Sequence, residues 1–528
     1  MKNHEYILLA FLGLAFILIA SIFQSSPGYM DADYYMAGGI SLANGSGFND
    51  FFLWNYLDKP DGIPHPSHSY WMPMASLVSA LGMIITGVDN FVSARLFFLV
   101  IASAIAPLTA CLSYTLHRNR KYALLAGITA TIPGYYLAYL GTTDTFALYM
   151  VLGCTWLVIL GQPARNEILK YFFIGLVSGF LHLCRADGIV WIILGAISVF
   201  MSNINFNTPQ ITNKTYRAIL VVALVGGYLF IMGPWMLRNL SSFGTALSPG
   251  GLRTLWLISY DDLYAYPGDK INITNWMASG IPNILSVRWH ALLNNLQNAI
   301  AVQGSIYLIP LMIMGLWRSR NHNSVKIGFC YWVITLLIMT FIFPHVGWRG
   351  GFFHSGAAVQ PLLWAVVPVG LAEFVKYGVR IRRWDWKQAW KFFSFSSVML
   401  LVVLTFMVAG YRLTNFNLTS HSWDQSATIY SIIDAELENI GAAKEDIVMV
   451  NNPPGYYVAA RRPAIPIPNG NLEDVLAAAE DYGGSYLILE PNHPEGLDNF
   501  YKQLENEIRL VHVNTIQDVQ IYRINSEE

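Results

Sequence analysis

The chain has 528 residues, 54% of them hydrophobic and only 12% charged, and a formal net charge of −1. Soluble globular proteins carry about 25% charged residues, so a lipid-embedded body is expected, and nucleic acid is excluded as a partner because there is no dense basic face to bind phosphate chains. The cysteines Cys111, Cys154, Cys184 and Cys330 sit far apart in apolar runs, so neither a disulfide framework nor a zinc site is indicated.

The first apolar run, residues 6–24, has no small-residue cleavage signature and precedes many more. It is therefore expected to remain as a first transmembrane helix with the N-terminus in the cytoplasm. Stretches able to cross roughly 30 Å of hydrocarbon follow at 91–116, 122–139, 145–161, 217–237, 297–317, 327–343, 356–375 and 392–412, with two shorter ones, 171–184 and 188–201, forming a tight pair. This predicts a bundle of roughly eleven helices. Basic residues gather at Arg118/Arg120/Lys121, Arg165/Lys170, Lys214/Arg217, Arg318/Arg320/Lys326 and from Lys376 to Lys391. The positive-inside rule places all of these in the cytoplasm, provided that the apolar segment 70–88 lies along the outer interface instead of crossing.

That topology leaves outside the loops 25–90, 238–296 and 344–355, and everything from about 414 onward. The C-terminal stretch alternates acidic helical segments such as LEDVLAAAEDYG with β-rich runs such as DIVMV, SYLILE and VQIYRI. It reads as a small soluble α/β domain. The expected architecture is a mainly α membrane protein with interfacial helices in the first outer loop, divided into a multi-pass unit, 1–413, and an extracytoplasmic α/β domain, 414–528.

Candidate chemistry lies on the outer side. Asp31 and Asp33, followed by Tyr34, come just after the first helix, and their carboxylates could take a proton from a hydroxyl nucleophile or hold a divalent cation, although the same spacing suits a solvated loop. Arg185 and Asp187 join the two short helices, where a guanidinium is costly unless it meets a partner, a cavity or a substrate. Arg238 and Arg349 sit at outer helix ends, as anion ligands or as interfacial anchors beside tryptophan, and His354 follows Arg349 closely. Arginine's fixed fork binds phosphate oxygens bidentately and stays charged where water is scarce, so several outer arginines point to a lipid-linked phosphate. Asp144 opens a helix, where capping is its plain structural role. Tyr260, Asp261 and Asp262 could line a sugar subsite or belong to an interfacial aromatic belt, and the turn-rich element from Val450 to Tyr457 could contact an acceptor or be a structural loop.

The acidic motif after helix one, the proline-containing interfacial segment, Thr143-Asp144 at a helix start and Pro234-Trp235-Met236-Leu237-Arg238-Asn239 together resemble the GT-C glycosyltransferases that use polyprenyl-phosphate sugars. The branch in question holds protein O-mannosyltransferases and lipid A aminoarabinose transferases (glycosyltransferase family 39 and relatives). The family's adjacent Asp-Glu pair is replaced here by Asp-Ala-Asp, and its Lys-Pro-Pro survives only loosely as Lys59-Pro60 with the later Pro64 and Pro66. The resemblance implies an inverting transfer of a sugar from a polyprenyl-phosphate donor to a lipid, glycan or protein acceptor at the outer face of the cytoplasmic membrane. It further implies Asp33 or Asp31 as base, with Arg238, Arg349, Arg185 and His354 around the donor phosphate, and Asp144, Tyr34, Asp261, Asp262 and Tyr260 as acceptor or sugar subsites. No cofactor is required outright, and a divalent cation is compatible with the carboxylates. The competing readings are a flippase of lipid-linked sugars, disfavoured because no internal repeat is found, and an anchored sensor, which would not need so many helices.

Overall fold

The computed structural model describes residues 1–201, 213–417 and 422–525. Residues 418–421 and 526–528 of the expected C-terminal domain lie outside that range. Among the described residues, seven helices are long and apolar enough to cross a bilayer: Asn3–Ser21 (α1), Phe91–His117, Glu167–Cys184, Asn213–Phe243, Asn323–Ile342, Gln360–Arg382 and Trp386–Thr414. An eighth span arises if the pair Arg120–Thr131 and Gly134–Leu140, bent by 45°, is taken as one. The bend falls at Ile132-Pro133, where proline lacks a backbone N–H and its ring disfavours a helical residue before it.

The expected total of about eleven is therefore not met by full-length spans alone. Phe146–Gly161 and Ala186–Met201 are apolar but shorter. The stretch 297–317 is split into a π-helical turn, Ala299–Gln303, and an 11-residue helix, Ile309–Ser319, with proline in its first turn. The stretches expected as outer loops contain helices, including the one expected within 70–88. Residues 25–90 contain Met30–Ala43 (α2) and Met74–Thr86 (α3), and residues 238–296 contain Ile281–Asn298. At about 1.5 Å per residue α3 spans only about 20 Å, short of the hydrocarbon thickness. Gly38 and Gly39 let α2 lie directly on α3, because a Cβ at Gly39 would come within 2.6 Å of Ser79 Cβ.

Contacts sort the chain into two ends. Arg120 pairs with Glu5, Arg318 approaches Glu373 at 3.5 Å, and the His117 and His322 rings lie 5.8 Å apart. These bring the start of α1 and several basic connections to one end of the bundle. At the opposite end Asp424 accepts from the backbone and hydroxyl groups of Ser25 and Ser26 over 2.7–3.1 Å, tying the end of α1 to the C-terminal unit.

That unit holds a five-stranded sheet: β1 (Ile447–Val450), β2 (Ala464–Pro466), β3 (Gly484–Leu489), β4 (Leu510–Ile516) and β5 (Val519–Ile524), in the order β2-β1-β3-β5-β4. β1 runs parallel to β2 and β3, and the remaining pairings are antiparallel. Period-two alternation sends Val448, Val450 and Ile488 toward helix Gln425–Asn439, and Met449, Leu487 and Leu489 toward helix Leu472–Tyr482, so both faces are covered. The free edge of β2 is covered by the segment that follows α2, with Leu53 N donating to Ala464 O at 2.9 Å and Tyr56 Oη to Pro466 O at 2.6 Å.

In lipid, helices associate through close packing instead of water exclusion, and small residues permit it. A Cβ on Gly227 would land on Phe172 O and one on Gly175 on Leu224 O, whereas a Cβ on neighbouring Gly226 meets nothing. We expect Gly227→Ala to destabilise the detergent-solubilised protein by about 1–3 kcal/mol, read as a lower unfolding temperature, with Gly226→Ala leaving it unchanged. Equal behaviour of the two variants would contradict this packing.

Candidate active site

The first turn of α2 carries both carboxylates of the Asp-Ala-Asp motif, and two residues apart on a helix means roughly 200° of rotation. They consequently face different surroundings. Asp31 lines a cavity of about 1260 Å³ walled by the membrane helices, the segments that connect them and the C-terminal unit. Asp33 is buried against the C-terminal unit, accepting from Asn452 Nδ2 at 2.9 Å. Gly455 permits this approach, since a Cβ there would lie 2.8 Å from Asp33 Oδ2 and on the Asn452 amide.

Asp31 belongs to a cluster with His354 and Asp144, whose nearest oxygen and nitrogen atoms all lie within 4.8 Å of one another. His354 Nε2 is 3.0 Å from Asp144 Oδ2 and 3.6 Å from Asp31 Oδ2. The other ring nitrogen, Nδ1, sits 3.0 Å from Gly350 O, an acceptor only, so it carries a proton. Gly350 can present that carbonyl because its φ of 133° is open to glycine. The imidazole is held by stacking on Phe146, centroids 4.1 Å apart. Asp144 does not cap its helix through an exposed side chain, its plain expected role, but is turned inward, where it also accepts from Tyr29 Oη at 2.6 Å and from Thr145 N and Oγ1. Thr143 Oγ1 donates to Ala32 O at 2.7 Å, fixing this turn against the start of α2. Burial raises the Asp144 carboxyl pKa, but the facing His354 and these hydrogen bonds outweigh burial and hold it below the usual value. Asp31 has no such bonds among the described residues. Burial raises it to about 6, opposed by the charges of His354 and Arg185 and reinforced by Asp144. Its side chain still keeps 32% of its surface open to the cavity.

Arg185 and Arg349 line the same cavity. Arg185 uses Nε to reach Asp187 Oδ1 at 2.9 Å, while Asp187 Oδ2 accepts from Tyr149 and Tyr331 at 3.1 and 3.0 Å. Its helix, Glu167–Cys184, is longer than the predicted 171–184, which lifts the hairpin apex by about a turn. Arg349 has no carboxylate partner among the described residues and lies over the Tyr260 and Trp348 rings at 4.3 and 5.2 Å.

Other sequence candidates are placed elsewhere. Arg238 is not among the residues lining this cavity but sits in a cage of Trp235, Phe243 and Phe48, donating to Phe48 O at 3.1 Å. Tyr34 is buried, donating to Asp50 at 2.9 Å and accepting from His68 N at 2.7 Å. Tyr260 and Asp261 do line the cavity, whereas Asp262 ties its own loop by accepting from Ile258 N and Ser259 N. Sequence reasoning missed the packed rings of Trp54, Tyr70 and Trp71, and Asn469 and Asn492 of the C-terminal unit, all on the cavity wall. Only Asn451, inside the turn-rich element noted above, carried a sequence signal.

No family model matches the chain, and no curated protein matches its sequence. Solved structures do. The oligosaccharyltransferase of Archaeoglobus fulgidus, in a complex with Zn and sulfate, aligns with TM-score 0.56 and 12% identity over 95% of this chain and 68% of that one. ArnT of Cupriavidus metallidurans, bound to undecaprenyl phosphate, aligns with TM-score 0.52 and 10% identity over 99% and 98%. At such identities the likeness is one of fold, and the chain has the GT-C fold of these membrane proteins.

Burial raises the Asp33 carboxyl to about 7, with the Asn452 hydrogen bond opposing and Asp31 adding to the rise. Folded Asp33 thus keeps a proton that the unfolded chain releases near pH 4, so its ionisation costs stability progressively between about pH 4 and 7 and constantly above. Asp33→Asn removes that cost while keeping an acceptor for Asn452. The unfolding temperature of the variant relative to wild type should accordingly be higher at pH 8 than at pH 5, and a pH-independent difference would contradict the assignment.

Proposed function

We propose that this chain, on the premise of its GT-C fold, is a glycosyltransferase that moves a sugar from a polyprenyl-phosphate donor to an acceptor hydroxyl, with inversion, at the outer face of the cytoplasmic membrane. The observation that carries the reading is that a loosely held carboxylate, Asp31, and a guanidinium with no carboxylate partner among the described residues, Arg349, line one cavity beside the bilayer. At about 1260 Å³ the cavity exceeds the roughly 300–1,000 Å³ of ordinary small-molecule sites, which suits a donor and an acceptor together. ArnT, of like fold, was solved with undecaprenyl phosphate, a lipid phosphate of the kind proposed here. The outer location is supported by the basic connections lying at the end of the bundle opposite the cavity.

In this mechanism Asp31 takes the proton of the acceptor hydroxyl as its oxygen bonds to the anomeric carbon. The bond from that carbon to the phosphate oxygen breaks, and the lipid phosphate leaves with the electron pair. Arg349, with the free terminal nitrogens of Arg185, stabilises the charge growing on that phosphate in a site poor in water. Asp187 holds Arg185 in place. Asp33, Tyr34 and Arg238 serve as supports of the α2 end, and Asp144 orients His354.

Asp31, Asp144 and His354 also fit a divalent cation. Two carboxylates face an imidazole whose Nδ1 proton is committed to a carbonyl, leaving Nε2 as the ligand nitrogen. A bound cation would supply positive charge next to the leaving phosphate.

Purified protein in lipid with a radiolabelled polyprenyl-phosphate hexose and a mixture of membrane lipids and glycans from cells lacking the gene tests the reading. Wild type should form labelled product, and Asp31→Asn should lower turnover by about 100-fold or more, within the general-base range. Arg349→Ala should cost about 100-fold, while Arg238→Ala should stay within about tenfold of wild type. The wild-type rate should rise with pH through about 6, as the raised Asp31 carboxyl ionises. Movement of labelled lipid across the bilayer without product would replace the enzyme with a flippase. For the cation, manganese titration should give at least about tenfold weaker binding to His354→Ala than to wild type, and equal binding would remove the ligand set.

A further inference from the structure

The carboxyl ends of all three parallel strands in the C-terminal unit point into the cavity. The loop after β1 contributes Asn451, the loop after β2 contributes Asn469, and the loop after β3 contributes Asn492. The chain leaves β1 for its neighbour β2 on one side, and leaves β3 for β4 and β5 on the other. Between β1 and β3 the connections therefore diverge, which opens the crevice where sheets with parallel strands bind ligands. Asn451 and Asn492 stand on its two sides, joined by a bond from Asn451 Nδ2 to Asn492 Oδ1 of 2.8 Å. That bond uses one group of each amide, leaving Asn451 Oδ1 as acceptor and Asn492 Nδ2 as donor without partners among the described residues.

The chemistry of this wall is selective. Among its described residues it has no lysine or arginine, its single acid is Glu495, and His493 is engaged at both nitrogens by Glu490 O and Asp498. An anion would find no countercharge here. The rings of Trp54, Tyr70 and Trp71 line the same cavity, with Trp54 and Trp71 centroids 4.1 Å apart. Paired amides matched to vicinal hydroxyls, in a cavity whose flat rings match an apolar C–H face, suit a neutral pyranose. An extended peptide is less well served, because the β2 edge it would extend is occupied by Phe52 and Leu53.

We propose that the crevice between β1 and β3 is a binding subsite for an uncharged sugar residue, built by Asn451 and Asn492. It deepens the transferase reading, resting on it for the placement of the lipid phosphate at Arg349, and gives the C-terminal unit a role in holding carbohydrate. The sugar is either the glycosyl group of the donor or a residue of a glycan acceptor.

Saturation-transfer NMR on the full chain in lipid nanodiscs, with neutral methyl hexosides and N-acetylhexosaminides as probes, tests this. At least one neutral glycoside should bind saturably, and Asn451→Ala/Asn492→Ala should weaken it by about tenfold or more while leaving undecaprenyl phosphate binding unchanged. Competition between the glycoside and a polyprenyl-phosphate hexose identifies the donor sugar as occupant, and additive binding identifies an acceptor glycan. Wild type that binds undecaprenyl phosphate but no neutral glycoside overturns the subsite and leaves the transferase reading standing. Preference for glucuronate or glucose 6-phosphate, binding of a Ser/Thr peptide in place of glycosides, or glycoside binding indifferent to the double substitution would each overturn it too.

Discussion

Charge near a lipid boundary has to be compensated, and the fold is organised around doing so. Asp144 is answered by His354, Tyr29 and Thr145, Asp187 by Arg185 and two tyrosines, and Asp424 by two serines. In the C-terminal unit Asp434 is answered by Lys444 and buried Arg462. Against that background, among the described residues, Asp31, with only a 3.6 Å approach to His354, and Arg349, held by aromatic faces alone, stand out as charges left available. Both open on the same hollow. A carboxylate and a guanidinium in one poorly hydrated hollow are what the proposed displacement of a lipid phosphate requires.

Helix α2 links this chemistry to the rest of the chain. One side offers Asp31 to the cavity, and another carries Asp33 to Asn452 at the start of helix Pro453–Ala460, while Gly38 and Gly39 rest on α3. The C-terminal unit is thereby joined to the helix that bears the proposed base, and its strand ends complete the cavity wall. A unit so placed is part of the site's construction, whichever molecule it holds.

Much of this was readable from the sequence, because hydropathy and basic connections report directly on what lipid and water require. The α/β alternation after residue 414 was equally plain, since DIVMV and SYLILE alternate faces at period two. The expected spans are bent or split where backbone details decide, as at Pro133 and in the π-helical turn of Ala299–Gln303. Asp-Ala-Asp left the base open because a sequence does not show that the motif begins a helix, and on a helix the two carboxylates point apart. Arg238 carried the family-like motif, yet Trp235 and Phe243 in its own neighbourhood take up its guanidinium. Asn469 and Asn492 had no local signal, as their convergence depends on strand order.

The account stands most directly on where the lipid phosphate sits. A cryo-EM map of the full chain in nanodiscs with undecaprenyl phosphate should place the phosphate against the Arg349 guanidinium, inside the hollow shared with Asp31. Density for the phosphate outside that hollow, or beside Arg238, would contradict it.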